Sequence, residues 1–571
     1  MAAPGGMSTV APRAAALAPR PWDGLLEDVR QAAREPVTLV VGGVLALLLL
    51  LFVLLPIGAV LVQSFQTRAG TFTLRNYADF FAHRFYYRAL INSLILATAT
   101  TVVVVGLGLA FTLVSTRTQS PLRHPLRWLA LLPLVAPPFI FSLSLIILGG
   151  RRGLIAQALG IDFNVKGWAG VLIAQTISFL PLAYLIVENV FVSLSGTLEE
   201  AATDLGADQW TVLRTVTLPL ATPGLAKAAL LVFIMSLADF GNPMLIGGGR
   251  GFLATDAYLL LIGEQNAPMA SVLAVFLLLP ALGVFAVHHV FLRGRAFTTI
   301  TGTPAVATRR DLGPALRWPL LAVCLATGLV IVTTFGLVVM GAFTEVLLIR
   351  NRFTLEHFQS PIGWAAVTTS LKMSVGAATI AATLGLVLAY LITRRRVPGR
   401  TALEFAALFG LAVPGTVMGL GYILLFNTPP LVLTGSLSIL ILNTAFRELS
   451  VGMEAGISKL HQLDPSIEEA SRALGAGLLA TFRRVVVPLM GSAFVAGFVY
   501  TFMVGTITVS AVVFLVAPGM NLAAVYILNL AETGAIGLAC ALAVVLIAIV
   551  LGCLGLLKLI VRRTGLVLGG T

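Results

Sequence analysis

Long apolar runs alternate with short polar segments along almost the whole chain. Before residue 300 the runs cover residues 37–63, 89–115, 127–149, 167–192, 225–246 and 268–292. In the rest of the chain they cover residues 316–343, 366–393, 402–426, 431–452, 490–516 and 535–561. An apolar helix of about 20 residues is long enough to cross the hydrocarbon core of a membrane. The pattern therefore predicts an all-α, polytopic membrane protein with about 12 transmembrane helices.

The composition also favours a membrane protein over a water-soluble one. Of the 571 residues, 58% are hydrophobic and 11% are charged, whereas soluble domains carry about 25% charged residues. The net charge of +13 does not indicate nucleic acid, because Arg and Lys concentrate at the ends of the apolar runs. No basic patch is interleaved with aromatic residues, as in proteins that bind single strands. We therefore expect a lipid bilayer as the surroundings and no nucleic-acid partner.

The distribution of Arg among the polar loops predicts the orientation. If the N-terminus is cytoplasmic, strict alternation places the Arg-rich segments 116–127, 293–317 and 394–400 on the cytoplasmic side. Cytoplasmic loops of membrane proteins carry an excess of Arg and Lys. The opposite loops also contain some Arg, so the bias is moderate. It favours a cytoplasmic N-terminus.

The second half of the chain repeats the first. The stretch "LGLAFTLVSTR" at 107–117 returns as "LGLVLAYLITR" at 384–394. The polar stretch "EEAATDLGADQWTVLRTVTLPL" at 199–220 returns as "EEASRALGAGLLATFRRVVVPL" at 468–489. Each half holds six predicted helices, an even number, so equivalent loops fall on the same side of the membrane. The sequence therefore predicts two parallel six-helix repeats, related by an axis along the membrane normal.

The repeat divides the chain into segments. Residues 1–36, rich in Ala, Pro and Arg, are predicted to form a disordered cytoplasmic tail. Two transmembrane domains at 37–296 and 316–563 are joined by a cytoplasmic linker at 297–315, and residues 564–571 form a C-terminal tail.

Each polar loop is predicted to form a short helix, a turn and a second short helix. In both copies a Ser or Thr lies three residues before a Glu, the spacing of a capping box: Thr197 with Glu200, and Ser466 with Glu469. Gly206 and Gly475 are placed to end the first helix of each copy, because glycine readily adopts the left-handed conformation. An ordinary connector is the alternative interpretation. The conservation of spacing between the two copies favours a function.

Both loops resemble the EAA motif of binding-protein-dependent ABC importer permeases. In the first loop, residues 195–224, the matching residues are Glu200, Ala201, Ala202, Gly206 and Pro219. In the second loop, residues 464–493, they are Glu469, Ala470, Ser471, Gly475 and Pro488, with Ser471 in place of the last Ala. The resemblance implies two permease domains of the type I importer (MetI-like) fold in a bacterial inner membrane. It further implies that each loop couples to one of two ABC ATPase subunits, and that a periplasmic binding protein delivers the substrate.

The sequence offers no chemistry of its own for catalysis. It contains no G-x-x-x-x-G-K-[ST] motif, so we expect no nucleotide phosphate site. The six His residues are scattered, and Cys324, Cys540 and Cys553 lie in apolar runs without CxxC spacing, so neither a metal site nor a disulfide is expected. These features predict a non-catalytic permease subunit that binds no cofactor, with ATP used by partner subunits.

Polar residues inside apolar runs are the candidates for the translocation pathway, because they are costly to bury in lipid. In the first half they are Asp239 and Asn242, within "SLADFGNPMLIGG". In the second half they are Thr506, Thr508 and Ser510, within "TITVSAVVFLVAPG". The alternative is that Asp239 only caps a helix at the membrane boundary.

The substrate prediction also depends on resemblance. The fused two-half arrangement, with "DFGNPMLIGG", "LATDAYLLLIG" and "TTITGTP", is similar to the ferric iron permeases. This similarity predicts ferric iron, and permeases for aminoethylphosphonate, thiamine or polyamine are the alternatives. A twelve-span secondary transporter is the alternative class. A secondary transporter of this class is expected to carry an acidic residue in the basic loop "TRTQSPLRHPLR", and this loop has none. That class also leaves the two polar loops unexplained.

Overall fold

The structure is a computed structural model that describes residues 36–151, 153–161, 164–194, 196–287, 312–395 and 397–564. Within these ranges the chain is almost entirely helical. Its one hairpin pairs strands Thr344–Val346 and Arg350–Phe353 in antiparallel fashion. Most of the predicted N-terminal tail, linker and C-terminal tail, and the "TTITGTP" stretch, lie outside the described residues.

The first half begins at Pro36, and its helices follow the predicted order. Its long helices are Pro36–Leu49 continued through Leu50–Leu54 and Leu55–Ser64, Arg84–Arg117, Ile140–Gly149, Trp168–Ser193, Leu218–Leu237 and Ala267–Val287. Its shorter helices are Arg75–Ala82, Arg123–Leu131, Leu132–Val135, Leu154–Leu159, Gly196–Asp204, Gln209–Val212, Leu213–Thr217, Gly241–Ile246, Leu253–Tyr258 and Leu259–Gly263.

The second half begins at Pro314, inside the predicted linker. Its long helices are Pro314–Ala342, Pro361–Arg394, Arg400–Ala412, Gly415–Phe426, Leu437–His461, Gly491–Ile507 and Ile536–Thr564. Its shorter helices are Glu356–Gln359, Ser466–Ala473, Leu478–Thr481, Phe482–Val486, Val487–Leu489, Val512–Phe514 and Ala523–Thr533.

The number of helices able to cross a membrane is close to the prediction. In the part of the chain that the structure describes, nine helices are long and apolar enough, and two bent pairs raise the number to eleven. The predicted span at 431–452 corresponds to helix Leu437–His461, which is 25 residues long but carries charged residues, including Arg447 and Glu448. This charged helix accounts for the difference from twelve.

The third predicted span of each half is broken. In the first half the helix that begins at Arg123 ends at Leu131, and the chain becomes helical again at Ile140 after a 3-10 turn. In the second half helices Arg400–Ala412 and Gly415–Phe426 meet at an angle of 107°. The prediction of continuous spans at 127–149 and 402–426 is therefore wrong. Proline explains both breaks, because the residue before a proline is disfavoured in the helical conformation, and Pro137 and Pro414 lie at the two breaks.

Helix lengths repeat the duplication seen in the sequence. The first span of each half, Pro36–Ser64 and Pro314–Ala342, is 29 residues long. The second, Arg84–Arg117 and Pro361–Arg394, is 34 residues long. The two halves are therefore copies in structure as well as in sequence.

The two halves exchange their first helices. Helix Pro314–Ala342 of the second half packs against Arg84–Arg117 and Ile140–Gly149 of the first. Conversely, helix Leu55–Ser64 of the first half packs against Gly415–Phe426 of the second. Each first helix also packs against the last span of its own half, Ile536–Thr564 or Ala267–Val287, so it bridges the two bundles.

Matching hydrogen bonds hold the exchanged helices. The Tyr422 hydroxyl donates to the Phe52 carbonyl at 2.7 Å, and the Ser144 hydroxyl donates to the Thr334 carbonyl at 2.7 Å. Gly421 also permits the close approach on one side, since a side chain there would collide with the backbone of Pro56. Both exchanged helices are therefore fixed by polar contacts as well as by apolar packing.

Candidate functional site

The first EAA loop folds as a helix, a turn and a second helix. Helix Gly196–Asp204 is followed by Gly206, whose φ of 88° lies in the left-handed region. The amide of Ala207 donates to the Ala202 carbonyl at 3.1 Å, and the amide of Gly206 donates to the Thr203 carbonyl at 2.8 Å. This pair of bonds defines a Schellman motif, in which glycine is favoured. The prediction that Gly206 ends the helix is confirmed.

The second short helix leads into the next span through a wider turn. Asp208 caps helix Gln209–Val212 by accepting a hydrogen bond from the Thr211 amide at 3.2 Å. Bonds from the hydroxyl and the amide of Thr211 lower the pKa of the Asp208 carboxyl. A π-helical turn over Leu213–Thr217 then precedes Pro219. Because proline has no amide hydrogen to donate within the helix, it is accommodated where the bonding register changes.

The second EAA loop repeats this geometry. Helix Ser466–Ala473 is followed by Gly475, with φ of 84°. The amide of Ala476 donates to the Ser471 carbonyl at 3.1 Å, so the Schellman bond recurs. A π-helical turn over Phe482–Val486 again precedes a proline, Pro488, which corresponds to Pro219 of the first loop. The two copies share one local design.

The predicted capping boxes are wrong. The second-copy helix begins at Ser466, whose amide donates to Asp464 Oδ1 at 2.9 Å, so Asp464 is the capping side chain. Bonds from the amide and the hydroxyl of Ser466 lower the pKa of Asp464. In the first copy the helix begins at Gly196, which places Thr197 inside it. The helices start earlier than the spacing predicted, so neither Ser466 nor Thr197 occupies the capping position.

A glutamate, half-buried in the first half and buried in the second, anchors each loop to the end of the second span of its own half. In the first half Glu199 Oε1 lies 2.8 Å from Arg117 Nη2 and accepts from the Thr217 hydroxyl at 2.9 Å. This glutamate precedes the motif residue Glu200 and was missed by the sequence analysis. The signal was available, because Arg117 closes one repeated stretch and Glu199 opens the other.

The second anchor has more partners. Glu468 Oε1 lies 3.3 Å from Arg394 Nε, and Glu468 Oε2 accepts from the Tyr390 hydroxyl at 3.1 Å. Arg395 Nη2 lies 3.9 Å from Glu468 Oε2 and donates to the Tyr390 hydroxyl at 2.6 Å. Each anchor ties a loop rigidly to a transmembrane helix.

The opposite faces of the loops are exposed and partly apolar. The motif residues Ala201 and Ala470 are exposed. The side chains that dominate the surface are Leu205 and Leu474, which are 89% and 88% exposed at equivalent positions. Of the two motif glutamates, Glu469 is exposed and Glu200 is half-buried. Large exposed apolar residues that recur in this way indicate a contact surface for another protein.

A cavity of 180 Å³ lies between the two halves, at the breaks in their helices. The first half contributes Phe139 and Asp239 to its wall, among other residues. The second half contributes Arg447, Thr508 and Ser510. Three of the five predicted pathway residues, Asp239, Thr508 and Ser510, are thus brought together.

A network of neutral donors holds Asp239. Its Oδ2 accepts from Gln175 Nε2 and from Asn242 Nδ2, each at 2.9 Å. Its Oδ1 accepts from the Asn242 amide at 3.4 Å, at the start of helix Gly241–Ile246. Asp239 therefore also caps a helix, and Asn242, which does not line the cavity, positions its carboxylate.

The remaining residues differ from the prediction. Thr506 does not line the cavity. It is buried and donates to the Phe502 carbonyl at 2.7 Å and to Ser374 Oγ at 3.1 Å. Arg447, which was not predicted, does line it. A charged residue within an apolar run was the signal that could have identified it.

A larger cavity of 1500 Å³ lies at the far end of the membrane from the EAA loops. Helix Pro314–Ala342 fixes this placement, because the Gly313 amide before its first residue bonds to Gln209 of the first EAA loop. The hairpin after its last residue contributes Glu345, which pairs with Arg350 at 3.3 Å, and Arg151 of the first half also lines the cavity. The charged and open wall suits contact with a soluble molecule.

Metal-ligating side chains do not cluster in the part of the chain that the structure describes. No group of three or more His, Cys, Asp or Glu residues there could hold a metal ion. Cys324 and Cys540 are buried among apolar side chains, and all three cysteines are free thiols.

Comparison with known proteins agrees with this architecture. Residues 102–296 match the family described as "Binding-protein-dependent transport system inner membrane component". The ferric transport system permease protein FbpB of Actinobacillus pleuropneumoniae is 32% identical over 90% of this chain and 77% of its own length.

Two further relatives differ in coverage. The putative ferric transport system permease protein FbpB 1 of Haemophilus influenzae is 31% identical over 84% of this chain and 78% of its own length. The thiamine transport system permease protein ThiP of Escherichia coli is 26% identical over 54% of this chain and 58% of its own length. The match to the Actinobacillus pleuropneumoniae permease covers 90% of this chain and so extends across both halves. The chain therefore belongs to the inner-membrane permeases of binding-protein-dependent ABC importers, and it is a multi-pass inner membrane protein.

Proposed function

We propose that this chain is the translocation subunit of an ATP-driven importer of ferric iron. The observation that carries the proposal is the similarity to two ferric transport permeases over 90% and 84% of the chain. The thiamine permease matches 54% of the chain at lower identity, so the substrate alternatives have weaker support.

In this proposal the two transmembrane domains, residues 37–296 and 316–563, enclose the pathway. A periplasmic binding protein delivers ferric iron at the 1500 Å³ cavity, and the cargo passes Asp239 in the smaller cavity between the halves. The N-terminus is cytoplasmic. The carboxylate of Asp239 supports the choice of a cationic cargo, because hard cations prefer oxygen ligands.

The EAA loops are the proposed docking surfaces for two ATPase subunits, one on each loop. The exposed Leu205 and Leu474 support this role, as do the anchors at Glu199 and Glu468. Closure of the ATPase pair would move both loops, and the anchors would pass that motion to the second span of each half. This chain uses no cofactor, and ATP is hydrolysed by the partners.

The decisive test is uptake of radioactive iron(III) by vesicles that contain the full chain, its ATPase and its binding protein. We expect uptake that requires both ATP and the binding protein, and that thiamine does not inhibit. A hydrolysis-deficient ATPase serves as the control and should abolish uptake. Uptake driven by a proton gradient without the ATPase would contradict the importer assignment.

Two sets of variants test the proposed residues in the same vesicles. Asp239→Ala should impair uptake while the assembly remains intact, and unchanged uptake would remove Asp239 from the pathway. Glu200→Arg and Glu469→Arg should each uncouple ATP hydrolysis from uptake. Native mass spectrometry should count two ATPase subunits for each chain, and full occupancy after both loops are scrambled would contradict the docking surface.

A further inference from the structure

The cavity between the halves carries charges of opposite sign, one from each half. Asp239 belongs to the first half and Arg447 to the second, and both line the same 180 Å³ space. The space is otherwise walled mostly by apolar side chains, including Phe139, Phe179 and Leu411. Opposite charges attract strongly in such surroundings, where water screens them poorly.

This pairing is an asymmetry within a duplicated chain. The EAA loops are related by an offset of 269 residues. The same offset takes Asp239 to Thr508, and it takes Ser178 to Arg447. Where the first half has an acid and a hydroxyl, the second half has a hydroxyl and a base. The duplicated positions therefore give the cavity one charge of each sign and not two of the same sign.

The guanidinium of Arg447 reaches the cavity wall at Gly415. A methyl group in place of the Gly415 hydrogen would lie 3.0 Å from Arg447 Nη1 and would collide with Ser510 Oγ. Glycine thus leaves the room that the guanidinium occupies beside Ser510. Because Ser510 and Gly415 both line the cavity, the charged end of Arg447 lies at the cavity and not behind it.

Neither charge is fully satisfied by its immediate neighbours. Arg447 Nε lies 3.5 Å from Glu448 Oε1, yet this buried Nε has no hydrogen-bond partner among the described residues. In the described chain Asp239 is held by neutral donors, namely the side chains of Gln175 and Asn242 and the amides of Gly241 and Asn242, and none of them carries a compensating charge. Each group therefore keeps capacity for a further polar partner.

We propose that Arg447 is a tethered counter-charge that competes with the cationic cargo for the Asp239 site. In the empty transporter the guanidinium compensates the carboxylate across the cavity. A cargo cation displaces it, and its return helps to release the cargo. Arginine suits this role because it stays protonated at all physiological pH values. This inference rests on the proposed function only for the identity of the cargo.

Cation binding to the full chain in lipid nanodiscs tests the inference without ATPase or binding protein. The probe is Tb³⁺, a hard trivalent cation, followed by its luminescence. Removing a nearby positive charge should tighten cation binding, so we expect Arg447→Gln to bind Tb³⁺ about tenfold more tightly than the unmodified chain. Arg447→Lys should restore the weaker binding. No tightening in Arg447→Gln would overturn the proposal.

Two further variants exclude other origins of the effect. Arg127 is a matched control, because its Nε lies 3.3 Å from the buried Glu188, much as Arg447 lies beside Glu448. Arg127→Gln should leave Tb³⁺ binding unchanged, and equal tightening in it would contradict a special role for Arg447. Adding Asp239→Asn to Arg447→Gln should abolish the gain. Tight binding that persists in the double variant would assign the cation to Glu448 and overturn the proposal.

A transport measurement separates this role from a purely structural one. If Arg447 helps to release the cargo, Arg447→Gln should lower both KM and kcat for iron(III) uptake. A structural defect would lower kcat without lowering KM, which would also contradict the proposal. If the unmodified chain does not transport iron but Tb³⁺ binding responds as expected, the proposed substrate fails while the counter-charge stands.

Discussion

The two EAA loops share one motif but enter the next span differently. In the first half the helix runs without a break from Gln209 to Leu237. In the second half Leu478–Leu489 and Gly491–Ile507 meet at an angle of 67°. The bend falls at Met490, immediately before a glycine, and Ala221 occupies the equivalent position of the first half. The motif therefore determines the loop itself, whereas local residues determine how the loop joins the membrane helix.

The two glutamate anchors also differ, in their exposure and in the number of side chains that they contact. The Glu468 side chain is 12% exposed and lies near two arginines and a tyrosine, whereas the Glu199 side chain is 20% exposed and contacts one arginine and one threonine. The bent connection thus goes with the more extensively bonded anchor. This comparison indicates that the second loop depends more on its anchor to keep its position.

The largest expected effect comes from removing the anchors. Glu468→Ala leaves Arg394 and Arg395 without their carboxylate, and loss of one partner of a buried pair costs about 3–5 kcal/mol. Glu199→Ala should cost less, about 1.5–3 kcal/mol. Thermal unfolding in nanodiscs measures both, with the exposed Glu469→Ala as the control. Equal losses for the two anchors would remove the difference between the loops.

The glycine turns should respond equally in the two loops. Gly206→Val and Gly475→Val each force a β-branched residue into the left-handed region, at a cost of about 1–2 kcal/mol or more. We expect both variants to bind the ATPase less well and to lower the ratio of iron uptake to ATP hydrolysis. Gly206→Asn and Gly475→Asn are the matched controls, since asparagine tolerates this conformation. A loss confined to one loop would show that the two turns are not equivalent.

The exchanged helices offer a smaller and symmetric comparison. Tyr422→Phe and Ser144→Ala each remove one buried hydrogen bond between the halves, worth about 1 kcal/mol. The unfolding temperature should fall by similar amounts in the two variants. The double variant should show the sum, because the bonds lie on opposite bundles. A much larger loss in one would mean that the exchange is not symmetric in energy.

The smallest expected effect is a pH response of the second helix of the first loop that the matching helix of the second loop lacks. The lowered pKa of Asp208 means that its cap stabilises this helix above the ordinary carboxyl pKa and is lost as the pH falls through the lowered value. Hydrogen exchange at the Thr211 amide should therefore lose protection in acid. The second loop has Gly477 at this position, so its matching helix is the internal control. Asp208→Asn should remove the pH dependence, and a response that survives this change would have another origin.

The sequence predicted the helical membrane fold, the duplication and the glycine turns, because these depend on long apolar runs and on local conformation. The helix breaks at Pro137 and Pro414 were missed, since apolar composition continues across them and hydropathy does not register a bend. The capping boxes failed for a related reason. The choice between Asp464 and Ser466 depends on where the helix starts, and a boundary can shift by a few residues without changing the pattern.

The candidate pathway was predicted only in part. Asp239, Thr508 and Ser510 were chosen because they are polar and lie in apolar runs, and they line one cavity. Thr506 meets the same criterion but bonds to its own helix and to Ser374, because a hydroxyl can be satisfied locally. Arg447 lies near the end of the apolar run 431–452 and was not selected as a pathway residue. Its place opposite Asp239 depends on how the halves pack, which no local pattern encodes.

The exchange of first helices has a consequence for how the protein is made. A growing chain inserts the first bundle before Pro314–Ala342 has left the ribosome, so the surface that this helix covers is briefly open to lipid. The opening helix, Pro36–Ser64, has meanwhile no second bundle to rest against. The first bundle is thus finished only after synthesis of the second half has begun, and a product that stops at the linker would leave one apolar face of that bundle uncovered.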